Sequence, residues 1–150
     1  MTTKSGEDSN GTVSANGAAA HLSGLIDEVL VVETEAEARR VLSVLLANTG
    51  DAGCPVYHAV DTEVSHIEVA DQTPVGHGNV ICFSVYCGPD VDFAAPGAGG
   101  AQQGQRSKKS LLWVDTLRIG PVAWDIFKPY FESDDVKKVW HNYSFDRHVI

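Results

Sequence analysis

Val56-Tyr57-His58-Ala59-Val60-Asp61-Thr62-Glu63-Val64 is the stretch on which the fold turns. Its apolar and polar residues alternate well enough for a strand, and the strand ends in two acids separated by one residue. Side chains at i and i+2 of a strand point to the same face, so Asp61 and Glu63 converge rather than splay. Two carboxylates forced together repel unless protons or a cation intervene. A hard divalent ion such as Mg²⁺ or Mn²⁺, which prefers oxygen ligands, is the natural solution. Taken alone, Asp-x-Glu more often marks an ordinary solvated strand end.

Before this strand, Val29-Leu30-Val31-Val32 is an apolar run too short for a buried helix and suggests an edge strand. Thr34 with Glu37 three residues on forms a capping box, and Val41, Leu42, Leu45 and Leu46 recur at helical spacing until Gly50, which predicts a helix over 35–48. After it, Val80 to Tyr86 and Leu111 to Asp115 read as two further strands. The segment 88–110 between them holds Gly97, Gly99, Gly100 and Gly104, then Arg106, Lys108 and Lys109, and reads as a flexible, basic surface loop. Those basic residues either touch a nucleic-acid backbone or, more commonly, are simply solvated. Gly99 and Gly104 have P-loop spacing, but Gln105-Arg106 replaces the required neighbourhood and no strand leads into it, so nucleotide binding there is rejected.

A helix beginning near Pro121 puts Ala123, Trp124, Phe127, Tyr130 and Phe131 on one face and should end or kink at Pro129. Val136 to Trp140 predicts a fourth strand after it, and Ser144 to Ile150 opens another helix with no capping signal, so a C-terminally incomplete domain is expected. In His141-Asn142-Tyr143-Ser144-Phe145-Asp146, Asp146 falls in the first turn of that helix, where the partly positive N-terminus favours an acid. Asp146 in isolation would be only a helix-start residue.

Composition sets the bounds. The 150 residues suffice for one domain with a sizeable core, and 43% apolar with 21% charged residues is an ordinary globular balance. No apolar run approaches bilayer-spanning length, which leaves no membrane role to expect. Residues 1–27 read as a disordered lead-in with neither a secretory signal nor the Arg-rich composition of a transit peptide. Cys54, Cys82 and Cys87 form neither a CxxC pair nor an even set, which points to a reducing compartment and away from structural zinc. His66, His77 and His148 show no ligand spacing; His58, on the strand face opposite Asp61, reads as a core or edge histidine. Trp113, Trp124 and Trp140 fall on apolar elements and read as core rather than a base-stacking platform. The net charge of −9 argues against a nucleic-acid partner, yet residues 1–35 alone carry −5 and leave −4 for the rest.

The order of lead strand and helix, strand ending Asp-x-Glu, two strands, helix, and strand running into Asn-x-x-x-Asp resembles the proofreading 3'-5' exonuclease domain of family A DNA polymerases. Val60-Asp61-Thr62-Glu63-Val64, Gly78-Asn79-Val80-Ile81-Cys82-Phe83-Ser84 and Val139-Trp140-His141-Asn142-Tyr143-Ser144-Phe145-Asp146 are similar to the plant and algal organellar members. The resemblance covers about residues 28–150 and implies an α/β, ribonuclease H-like mixed sheet flanked by helices. It further implies a DEDD-type site with two Mg²⁺ or Mn²⁺ ions roughly 4 Å apart, held by Asp61, Glu63 and Asp146. Asp61 would bridge both ions, and Asn142, with Thr62, His141 and Phe145 nearby, would place the terminal nucleotide. His141 could equally be a packing residue. The implied substrate is a single-stranded or frayed DNA 3' end, and the implied context is a covalently linked polymerase in a plastid or mitochondrion. The family's third motif, with a fourth acid and a Tyr or His, is not found here, so slow cleavage or none is expected. An exoribonuclease of the RNase D kind and a non-catalytic nucleic-acid-binding module are the alternatives.

Overall fold

The computed structural model describes residues 23–150 apart from 25, 52, 69–70, 72, 74, 76 and 97–107. In chain order it contains β1 (Val29–Val32), α1 (Glu35–Ala47), β2 (Gly50–Asp51), β3 (Cys54–Pro55), β4 (Tyr57–Ser65), β5 (Asn79–Tyr86), β6 (Leu111–Asp115), α2 (Thr116–Ile119), α3 (Val122–Glu132), β7 (Lys137–Trp140) and α4 (Tyr143–Asp146). Five strands form one mixed sheet in the order β1-β6-β5-β4-β7, with β1 at an edge as its length suggested. β4 is antiparallel to β5 and parallel to β7, and β1 is parallel to β6. β2 and β3 make a separate two-stranded ribbon that the sequence reading did not foresee.

α1 starts where the capping box put it, the Thr34 hydroxyl accepting from the Glu37 N–H at 3.3 Å. Ala38, Val41 and Leu45 form its buried stripe. This stripe, with Ile126, Phe127 and Tyr130 of α3, meets Val32, Val60, Phe83, Val85, Leu112 and Val114 of the sheet in one core. Phe83 takes Phe127 and the partly buried Phe131 edge-on at 5.0 and 5.2 Å between ring centroids, and the fully buried Phe83 and Phe127 contribute about 1.5–3 kcal/mol each.

Four expectations are corrected. α3 continues through Pro129 to Glu132. Pro129 and Asp125, whose carbonyl it cannot serve, both lie on the exposed side, where solvent can take the place of the lost donor, while Tyr130 anchors the last turn in the core. Segment 88–110 is not all surface loop, because Phe93 is fully buried and its N–H donates to the Lys109 carbonyl at 2.8 Å. Residues 97–107, including Arg106, lie outside the described residues. Trp113 is 40% exposed rather than core, since it alternates onto the sheet face that α1 and α3 leave uncovered; Trp124 and Trp140 do pack against the core. The last helix regularises only over Tyr143–Asp146, after which the chain continues as turns. Of the lead-in expected over 1–27, residues 1–22 and 25 lie outside the described residues, while 23–24 and 26–27 are helical.

Candidate active site

β4 runs down the sheet with strict alternation: His58, Val60 and Thr62 are buried, and Ala59, Asp61 and Glu63 are exposed on the other face. Both carboxylates therefore stand on the uncovered side, as the i, i+2 spacing requires. The register fixes their neighbours, because Asp61 pairs with Ser84 and Glu63 with Cys82. Beyond Glu63 the pairing shifts so that Val64 faces Val80, leaving Ile81 as an extra residue in β5. Such a bulge sharpens the local twist and re-aims the strand end. Gly78, just before β5, has φ +83°, and a Cβ there would stand 2.6 Å from Val64 Cγ1, so the approach to this bulge demands glycine.

At the other motif, β7 lies parallel to β4 with Trp140 opposite Val60. The chain then turns through Asn142 in the left-handed region at φ 57°, which Asn tolerates better than most residues. The Ser144 hydroxyl donates to the Asn142 side chain at 2.9 Å. This turn folds α4 back so that Asp146, 3% exposed, meets β4 and accepts a 2.6 Å hydrogen bond from the Thr62 hydroxyl.

The structure thus joins Asp61 to Glu63 on one face and Asp146 to Thr62 on the other. Among the described residues no three His, Cys, Asp or Glu side chains gather in a group that could hold a metal ion. The donor chemistry of the Asp61–Glu63 pair fits one hard divalent cation, with water completing its shell; Asp146 is not part of that pair. Of the substrate-side residues, Asn142 and His141 are exposed, Phe145 is half-buried, and Thr62 is committed to Asp146. His141 and Trp140 line a shallow groove of about 500 Å³ with Asp61, Ser84, Tyr86 and Val139.

Two features escaped the sequence reading. Asp115 pairs with Cys82, which pairs with Glu63, so a third acid sits in the same cross-strand row. Burial first, then the charges of Glu63, Asp115 and Asp61, raise the Cys82 thiol above its ordinary value. Asp115 has its own task, accepting from the Arg118 N–H at 2.9 Å to cap α2. The second is beneath the site, where His58 Nε2 lies 2.8 Å from the Asn48 carbonyl and Nδ1 lies 3.2 Å from the Tyr130 hydroxyl. A carbonyl can only accept, so Nε2 donates and Nδ1 receives the Tyr130 proton. Burial lowers the His58 pKa, the Asn48 carbonyl opposing and Lys138 reinforcing the shift. No signal in sequence pairs residues this far apart in the chain.

No protein-family model matches the sequence. Pairwise, the chain is 44% identical over 131 residues to DNA polymerase I A, chloroplastic/mitochondrial, of Arabidopsis thaliana, covering 87% of this chain and 11% of the relative. It is 46% identical over 129 residues to DNA polymerase I B, mitochondrial, of Oryza sativa subsp. japonica, covering 86% and 11%. Over most of its length the chain is similar to part of organellar DNA polymerase I. It spans about a tenth of the length of these relatives. Its fold is similar to that of Escherichia coli RNase D, an exoribonuclease involved in structured RNA processing, with a TM-score of 0.50 at 15% identity over 81% of this chain and 23% of that one. That likeness shows the fold, a mixed sheet flanked by helices, and nothing of substrate. Among the described residues no helix is long and apolar enough to cross a membrane.

Proposed function

We propose that the chain is the 3'-5' exonuclease domain of an organellar DNA polymerase, hydrolysing the terminal phosphodiester of a single-stranded or frayed DNA 3' end and releasing nucleoside 5'-monophosphates in proofreading. The observation that carries this reading is that two acidic motifs come to the same strand: Asp61 and Glu63 lie in the second half of β4, and Asp146, six residues past the parallel neighbour β7, docks on the Thr62 between them. Homology to the polymerases supports it independently.

In this reading Asp61 and Glu63 would hold one Mg²⁺ or Mn²⁺ ion with water completing its shell, while Asp146 stays with Thr62 on the other face of β4. Bound divalent cations supply activation of water and neutralisation of phosphate charge. Asp61 lines the groove with Trp140 and His141, and Glu63 stands exposed on the same face two residues on, so a terminal nucleotide lying there brings its phosphodiester toward them. Asn142, His141 and Phe145 then orient that nucleotide. A net charge of −9 repels the substrate's phosphates, which makes binding as well as cleavage dependent on the cation.

The test is degradation of matched 5'-labelled DNA and RNA single strands with Mg²⁺ or with EDTA. Slow, Mg²⁺-dependent shortening of DNA from its 3' end, abolished in Asp61→Ala, is the expected result. Preference for RNA would make the chain an exoribonuclease instead. Binding of DNA without cleavage, unchanged in Asp61→Ala, would leave a non-catalytic module. The relatives' names further suggest residence in a plastid or mitochondrion, which a fluorescent fusion in plant cells checks.

A further inference from the structure

We infer that the open face of the sheet carries a base-stacking subsite for single-stranded DNA, leading away from Asp61 over Ala59 toward Tyr57. Strand register sets the side chains of this face in rows. Val139, Ala59, Tyr86 and Leu111 form one row, and Asp61, Ser84 and Trp113 form the next. Ala59 and Ser84 are the small members of their rows, so a hollow of about 500 Å³ opens above them. Tyr86, Leu111 and Val139 wall one end of it, and Asp61 and His141 line the other. One row beyond Ala59, Tyr57 pairs with Lys137, and both are exposed.

The chemistry of the hollow selects bases. Asp61 is the one carboxylate among its lining residues, and most of the others are apolar. A phosphate therefore fits only at the Asp61 end, where a divalent cation can stand between the two negative charges. A base is flat and largely apolar, and a tyrosine ring offers it a stacking partner whatever its identity. Exposed apolar side chains gathered in one patch mark a binding surface, and Tyr57, Tyr86 and Val139 are all exposed here. Two residues along a strand span about 6–7 Å, close to the reach of one extended nucleotide. A DNA strand whose terminal phosphodiester lies at Asp61 thus puts its penultimate base over Ala59, against Tyr86. The next base lies near Tyr57. There Lys137, whose ammonium donates to the Asp134 carbonyl at 2.7 Å, has further donors for a phosphate.

The placement of the scissile bond rests on the exonuclease reading; the stacking itself does not. The test is fluorescence anisotropy of the full 150-residue chain with 5'-labelled oligothymidylate in Mg²⁺, its 3'-terminal linkages phosphorothioate to keep it intact, beside an abasic strand of equal length. Ala59→Leu fills the hollow from an exposed position, and Tyr86→Ala removes its aromatic wall. Leu117→Ala is the control, an exposed apolar residue outside the groove. The abasic strand should bind about fivefold or more weakly than oligothymidylate, the scale of one stacked base. Each groove variant should weaken oligothymidylate by a similar factor and leave the abasic strand unchanged, with the urea midpoint of Ala59→Leu at the parent's value. Leu117→Ala should alter neither affinity. Equal binding of the two strands by the parent, oligothymidylate affinity unmoved by either groove variant, or a loss that the abasic strand shares overturns the inference. So does self-association of the parent that Ala59→Leu abolishes while no DNA binds, which would give the face to a second copy of the chain. Stacking-dependent binding without cleavage of an unmodified strand leaves the subsite standing and sinks the exonuclease reading. Cleavage with affinity blind to both variants sinks the subsite alone.

Discussion

On one face of the sheet Val60, Phe83, Val85, Leu112 and Val114 disappear beneath α1 and α3. On the other, Tyr57, Tyr86, Trp113 and Val139 remain 39–60% exposed beside Asp61 and Glu63. The same strands build both faces, because side chains alternate along each one. The comparison teaches that stability and proposed chemistry occupy opposite sides of a backbone one residue thick. Thr62 is where they communicate, a core-facing residue whose polar atom reaches the second motif.

Replacing one residue on each side tests this division. On the open face, Asp61→Ala should lower cleavage by about 10³-fold or more, equivalent to several kcal/mol of transition-state stabilisation, while the urea midpoint stays within experimental error of the parent. An equal fall in both would mean that Asp61 is structural. On the covered face, Phe127→Ala removes a fully buried ring that meets Phe83 edge-on and should cost about 3–5 kcal/mol in denaturant unfolding. A loss under about 1 kcal/mol would show that α3 does not pack as described.

Smaller effects sharpen the contrast. His58 is buried neutral, and burial holds its pKa below the ordinary histidine value of 6.5. The folded state therefore binds fewer protons than the unfolded chain as pH falls below 6.5, so stability should decline from that point downward. Urea midpoints at pH 7.5 and 5.5 measure the slope, and His58→Gln should flatten it. An identical slope in the variant would assign the decline to carboxylates. Smallest of all, Trp113→Ala on the open face should cost about 1 kcal/mol or less, as exposed positions do. A cost near that of Phe127→Ala would mean that something covers this face in solution, and the distinction between the faces would need redrawing.

Much of the fold was legible because local rules decide it. The capping box at Thr34 and Glu37 started α1 where expected, and the spacing of Val41 and Leu45 chose its buried stripe. β1 also lies at the edge of the sheet, as its short apolar run suggested. Pro129 misled because the rule against proline within a helix weighs most where the orphaned carbonyl is buried, and here Pro129 and Asp125 both lie on the exposed side. Trp113 misled because apolar alternation names two faces without saying which one is covered.

For the candidate site, sequence alone determined that Asp61 and Glu63 share a face, since a period of two is a property of any strand. It also put Asp146 in the first turn of a helix after the last strand. Only the tertiary structure decided that β7 lies parallel beside β4, that Asp146 meets Thr62 rather than joining Asp61 and Glu63, and that His58 donates to the Asn48 carbonyl and accepts from the Tyr130 hydroxyl. Those contacts join residues 84, 10 and 72 positions apart. They arise from strand pairing and from helices docking on a shared core, and no local spacing of residues encodes such distances.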